Sequence, residues 1–341
     1  MATQRIEYID LAKGICIILV VIDHTCGALG MESSICSDTA MAFRMPLYFI
    51  LSGLFFSTYS GFKEFFIKKT NRLIIPFLFA WLLSCIYEWF KRQILNSAPT
   101  HSIWCGPYYE ELANPPIWFL FCLFICALIF YWIRTIASRT KCPSLFGAIL
   151  SLIVGCFGFF LGKVQINFPL WIDSAMTAIP FYAFGNYLRK YTRFLQNYFE
   201  KWKMLGLAIV LLVVTWLFGS YSRISLNDMS RTNIFSYYLC GITGTLAILY
   251  IAKSIKYIPW ISYWGRYSIC ILVTHIYLVV AVNILLGICH IEITNRLIGC
   301  LICVPILGLY YFIIPVMIKY LPHVCAQKDL IKFTAKETPR M

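Results

Sequence analysis

An aspartate and a histidine, Asp23 and His24, stand side by side deep inside an apolar stretch, and a lysine, Lys13, stands at its beginning. An ionisable side chain well inside a bilayer costs several kcal/mol unless it faces a bundle interior, a cavity or a partner, so the Asp-His pair marks a candidate site. Lys13 and His24 are eleven residues apart. On a helix this is roughly 16 Å along the axis and close to three full turns, so both side chains point toward nearly the same face. A ligand with an anionic head and a long thin arm fits that ladder, its phosphates at Lys13 and its far end at the imidazole. An acyl-coenzyme A has that shape. The same spacing also fits a snorkelling lysine and a histidine that merely hydrogen-bonds a neighbouring helix. Asp23 lies about 100° around the helix from His24, which suits a partner on another span better than the orienting role of a triad aspartate.

The elements that must hold these residues are transmembrane. Sixty per cent of the 341 residues are hydrophobic, 17 % aromatic and 13 % charged, and the mean hydropathy is +0.74. Those values exclude a soluble globular domain and imply a polytopic, all-α bundle. Ten stretches approach the 20 or so residues a span needs: 11–30, 43–60, 73–92, 116–134, 144–162, 170–188, 204–220, 233–252, 266–287 and 295–318. With both termini cytoplasmic, the outer side keeps only Arg44, Lys91, Arg92, Lys163, Arg223, Arg231 and Arg296 of the 29 basic residues, as the positive-inside rule asks. The net charge of +14 is then a matter of topology and implies no nucleic-acid partner. A single transmembrane domain is expected over 1–320, followed by a basic cytoplasmic tail, 321–341, that is loose or rests on anionic headgroups. The outer connection 93–115, with its Tyr108-Tyr109-Glu110-Glu111 run, has the length of a lid or binding surface. Most of the 15 cysteines, Cys122 and Cys126 among them, sit in apolar runs as small hydrophobes, and no metal site is expected.

Six stretches, in order, resemble one family. Arg5-Ile-Glu-Tyr-Ile-Asp-Leu-Ala-Lys-Gly-Ile with Lys13-x10-His24 resembles the basic-x10-His element of the integral-membrane acyltransferase 3 family, and within it the fucose 4-O-acetylase-like branch. Phe43-Arg-Met-Pro-Leu-Tyr-Phe-Ile-Leu-Ser-Gly53 is similar to the second-span signature. Lys69-Thr-Asn-Arg72 before Leu73-Ile-Ile-Pro76 resembles an Arg-x-x-Arg stretch, and Pro116-Ile-Trp-Phe-Leu120 the Trp-Phe-Leu entrance of a later span. Pro180-Phe-Tyr-Ala-Phe-Gly185 and Trp264-Gly-Arg-Tyr-Ser-Ile-Cys-Ile-Leu-Val-Thr-His275 are similar to elements further on.

The resemblance implies acyl transfer from a cytoplasmic acyl-CoA, most simply acetyl-CoA, to a hydroxyl of a carbohydrate or lipid-linked glycan of the cell envelope, by a multi-pass protein of the bacterial inner membrane. It makes His24 the catalytic residue, a general base toward the acceptor hydroxyl. Lys13, Lys69 and Arg72 become candidates to hold the coenzyme phosphates. Lysine replaces arginine at 13 and 69, which keeps the charge and loses the bidentate fork. Arg44 stands where many relatives have histidine, and Glu88 and Asp173 are its candidate partners. Arg44, Glu88, Asp173 and His275 are the expected acceptor-side residues. A transporter or flippase that uses buried Asp, His and Glu as a proton relay is the rival reading. It does not require the Lys13-to-His24 spacing.

Overall fold

A computed structural model describes residues 6–31, 34–95, 112–166, 168–196, 198, 200–219 and 233–333. The Tyr108–Glu111 run, Arg5, Arg223, Arg231 and the end of the basic tail lie outside the described residues. No strand occurs among those described. The chain forms α1 (Glu7–Ala28), α2 (Ile35–Leu54), α3 (Phe62–Lys69), a π-helical turn (Thr70–Ile74), α4 (Ile75–Leu95), α5 (Trp118–Ala137), α6 (Pro143–Lys163), α7 (Ile172–Thr192), α8 (Lys201–Gly219), α9 (Ile234–Ile255), α10 (Pro259–Arg266), α11 (Ser268–Ile288) and α12 (Arg296–Tyr320).

Eight described helices are long and apolar enough to cross a membrane: α1, α3 running on into α4, α5, α6, α8, α9, α11 and α12. This is a multi-pass membrane protein. Helices α2 and α7 have 20 and 21 residues but are less apolar. Their position explains why. From Ala42 to Leu54 on α2, and from Asp173 to Gly185 on α7, nearly every side chain is buried, so other helices shield these two from lipid. Polar groups are tolerated there because protein, not hydrocarbon, surrounds them. The peripheral helices show the opposite pattern, with α6 and α8 presenting Leu145, Ile149, Ile153, Phe157, Ile209 and Val210 outward.

Two boundaries differ from the sequence expectation. Helix α2 starts at Ile35 rather than near 43, because Asp38 sits in its first turn, where a carboxylate favours a helix N-terminus. The third span starts at Phe62 rather than 73. There α3 and α4 are joined by a turn in which the Ile75 N–H bonds the Thr70 carbonyl, five residues back. Pro76 follows at once and has no N–H to give to Arg72, so the ordinary ladder is interrupted at this point.

Helix α1 packs against α10, α12, α11 and α9, and α2 against α7 and α9. The α2–α7 crossing is backbone on backbone. A methyl group on Gly53 would stand 1.8 Å from the Tyr182 carbonyl oxygen, and one on Gly185 2.0 Å from that of Ile50. Small residues permit such contact where lipid provides no hydrophobic drive between helices. The α1–α10 contact is built the same way, with Gly265 against the Asp10 carbonyl.

The tail does not follow its expectation over its first part. Residues 321–333 fold back on the bundle, with Val324 and Cys325 buried in its core.

Gly53→Ala is expected to lower stability by about 2–3 kcal/mol, because neither backbone at the crossing can yield to a methyl group. Gly206→Ala, on α8 with open space around it, should cause no loss. Thermal unfolding of the two detergent-solubilised variants makes the comparison.

Candidate active site

A cavity of about 530 Å³ lies between α1, α2, the π-turn, α5 and the start of α11. Lys13, Lys69, Arg72 and Arg266 line it, three of them the basic residues singled out from the sequence and the fourth contributed by α10. Lys69 and Arg72 are three residues apart and share a helix face. The Lys69 ammonium lies 3.4 Å from the Tyr182 hydroxyl, and its charge rests over the Phe65 and Tyr182 rings. The Tyr48 hydroxyl donates to the Lys13 carbonyl at 3.2 Å and ties α2 to α1 beside the cavity. The remaining wall is largely apolar, with Ile17, Val20, Met45, Leu120, Leu123 and Leu272. Val20 and Leu272 each stand about one helical turn before a histidine, His24 on α1 and His275 on α11. The cavity thus runs from a cationic end toward two imidazoles.

The His24 and His275 rings lie against each other, centroids 5.2 Å apart and planes tilted by 51°. His275 is fully buried, and its Nδ1 lies 2.9 Å from the Ile271 carbonyl and 3.1 Å from that of Leu272. Carbonyls only accept, so Nδ1 carries the hydrogen and Nε2 presents a lone pair. That Nε2 is buried and has no hydrogen-bond partner among the described residues. His24 is partly exposed.

Asp23 has its partner on another helix, α2. Its carboxylate accepts from Arg44 Nη2 at 2.8 Å, with Arg44 10 % and Asp23 25 % exposed. The Arg44 guanidinium thus stands beside the residue that precedes His24 on α1. Its Nε–H is buried without a partner among the described residues, a spare donor beside the histidines.

Neither Glu88 nor Asp173 pairs with Arg44, which corrects that expectation. Asp23 lies within reach across the α1–α2 contact and takes the guanidinium. Glu88 is buried on α4 with the Lys91 ammonium at 3.6 Å. It sits one turn past Ser84, whose hydroxyl meets that of Tyr277 at 2.9 Å, and Tyr277 follows His275 by two residues. Glu88 therefore belongs to a polar α4–α11 flank beyond the histidines. Asp173 lies in the first turn of α7, where a carboxylate favours a helix N-terminus, and not beside Arg44.

Asn114 was missed. It is wholly buried, its Nδ2 donates to the Val273 carbonyl at 3.0 Å, and its Oδ1 has no partner among the described residues. The only signal was a single amide before Pro115-Pro116-Ile117-Trp118, which reads equally well as a helix start. Arg266 was masked by its place in a basic loop.

The acyltransferase 3 family model, an acyltransferase domain, matches residues 6–314. The chain belongs to the acyltransferase 3 family. Its coarse activity is that of a membrane acyltransferase. No curated protein and no solved structure matches it. The histidine pair, the ion pair and most of the basic cavity of this acyltransferase 3 protein fall inside the matched region, whereas the folded-back residues 321–333 lie beyond it.

Asp23→Leu should destabilise the protein by about 3 kcal/mol, the low end for a broken buried pair because Asp23 is a quarter exposed. The double variant Asp23→Leu, Arg44→Met should regain most of that loss, since no buried charge is left unpaired. Melting temperatures of the three proteins in one detergent decide it.

Proposed function

We propose that this chain is an O-acyltransferase, in the first instance an O-acetyltransferase, that moves the acyl group of a cytoplasmic acyl-CoA to a hydroxyl of an envelope carbohydrate or its lipid-linked precursor. The reading includes ten spans with both termini cytoplasmic, counting α2 and α7 as crossings, in a bacterial inner membrane, and membership of the fucose 4-O-acetylase-like branch. One observation carries it: a single cavity collects Lys13, Lys69 and Arg72 from separate stretches of chain and runs to within a turn of the His24–His275 pair.

The donor enters from the Lys13 end. Its phosphates meet the three cations, and its thin arm lies along Ile17, Val20 and Leu272, a wall with no polar demand of its own. The thioester carbonyl comes to rest beside His24. The acceptor approaches from the Ser84–Tyr277–Glu88 flank. His24 accepts the proton of its hydroxyl as the oxygen attacks the carbonyl carbon. The tetrahedral oxyanion forms near the Arg44 guanidinium, whose free Nε–H supplies the donor such a charge needs. The carbon–sulfur bond then breaks, the ester leaves with the acceptor, and the proton passes from His24 to the departing thiolate. His275, with its lone pair on Nε2, takes the place a triad carboxylate holds elsewhere. It can accept a hydrogen bond from His24 once that ring is protonated and so orient it without a second charge.

Binding and turnover of radiolabelled acetyl-CoA by the purified protein test this. Lys13→Ala should weaken binding about tenfold, the cost of one charge-assisted contact. His24→Ala should bind normally and lose acetyl-CoA hydrolysis by about 10²–10⁴-fold, the usual contribution of a general base. Wild-type protein that is folded and binds no acetyl-CoA would sink the proposal and favour a transporter.

A further inference from the structure

The loop after α12 reaches back across the bundle to the basic cavity. Cys325, Ala326 and Gln327 form part of the cavity wall. The chain turns there, with Ala326 in the left-handed region at φ 53°, a conformation that a non-glycine residue keeps only when its surroundings hold it. Local bonds hold that turn, from the Ala326 N–H to the His323 carbonyl and from the Gln327 N–H to that of Pro322, and the far end of the loop is held by Asn71. This residue sits in the π-turn between Lys69 and Arg72, 2 % exposed, and its side-chain amide pairs with the loop as a peptide group would. Its Nδ2 donates to the Ile331 carbonyl at 2.8 Å, and its Oδ1 accepts from the Leu330 and Ile331 amides at 2.8 and 2.9 Å. A further Nδ2 bond at 3.0 Å to the Ile67 carbonyl fixes the Asn71 side chain to its own helix. One turn earlier, Lys68 reaches Asp329 at 2.6 Å.

We propose that Asn71 is a positioning residue that clamps the segment 322–331 as a strap over the donor cavity, so that the strap and the Lys69–Arg72 pair form one unit around the coenzyme. The role rests on the donor reading above. The strap closes a wall that the helices leave open, and Asn71 sets the distance between that wall and the two cations. Loosening it enlarges the cavity without removing any charge. The strap lies beyond residues 6–314, the part of the chain that matches the family model.

Cys325 reports the strap directly. Its side chain is 2 % exposed and its thiol is hydrogen-bonded to that of Cys270. The experiment measures alkylation of Cys325 by a bulky maleimide, mapped by peptide mass spectrometry, alongside coenzyme A affinity and the donor KM and kcat, in full-length protein in detergent. Asn71→Ala should raise the Cys325 rate at least tenfold, leave Cys16 in α1 protected, weaken coenzyme A at least fivefold and raise the donor KM with kcat within about twofold. Asn71→Asp keeps the acceptor for the Leu330 and Ile331 amides and loses both Nδ2 bonds, so its Cys325 rate should fall between wild type and Asn71→Ala. Lys68→Ala, which leaves Asn71 in place, gives a second and milder loosening if Asn71→Ala fails to fold. Cys325 still protected in both alanine variants would overturn the clamp. Cys325 exposed with coenzyme A affinity unchanged would overturn the donor-site role and leave a structural tether. Wild-type protein that binds no coenzyme A would remove the donor reading and this role together, whereas the maleimide rates would still judge the clamp.

Discussion

Two opposite charges meet inside the bundle, the Asp23 carboxylate on α1 and the Arg44 guanidinium on α2, 2.8 Å apart. Neither is tolerable alone in so poorly hydrated a place, so their pairing fixes how α1 and α2 face each other at the depth of the histidines. Much follows from that single constraint. Helix α2 must be sheltered, and α7, α8 and α9 pack around it. The backbone contact through Gly53 and Gly185 keeps that shelter tight. With its orientation set by Asp23, Arg44 brings a positive charge and a spare N–H to the histidine pair, and the Asp23 carboxylate balances that charge.

The chemistry is layered by depth. Cations gather at one end of the cavity, where water and a polar head can meet them. An apolar throat follows, and then two imidazoles that stabilise each other's orientation without adding net charge. Beyond them the Ser84–Tyr277 bond and buried Glu88 give a flank of hydrogen-bonding groups. That order suits two substrates of different character approaching a shared centre from opposite ends. It also separates the cations from the imidazoles, which is what the proposed reaction of an anionic donor asks for.

What could be seen in the sequence was whatever a single helix encodes. The Lys13–His24 ladder is fixed by helical pitch, and Lys69 with Arg72 by a three-residue spacing; Lys13, Lys69 and Arg72 line one cavity, and His24 stands one turn beyond Val20 in its wall. His275 entered only as an expected acceptor-side residue, and its ring lies against that of His24. Pairings between helices were not legible. Glu88 and Asp173 looked like partners for Arg44 because depth alone was available, and depth cannot tell which of three carboxylates faces a given helix. The tail is the sharper case. Its basic, polar residues look like a solvated end, yet Asn71 binds it from about 260 residues away, and no local pattern announces a bond of that range. The π-turn is half visible, since Pro76 has no N–H to give, but no local pattern shows that the turn sets Asn71 beside Arg72 facing the tail.

The most direct measurement is an experimental structure of the full-length protein with a non-hydrolysable thioether analogue of acetyl-CoA, by electron cryomicroscopy. The phosphates are predicted to contact Lys13, Lys69 and Arg72, with the arm along Val20 and Leu272 and the thioether beside His24. An analogue seated on the Ser84–Tyr277 flank, or outside the cavity with the histidine pair untouched, would contradict the assignment of this cavity to the donor.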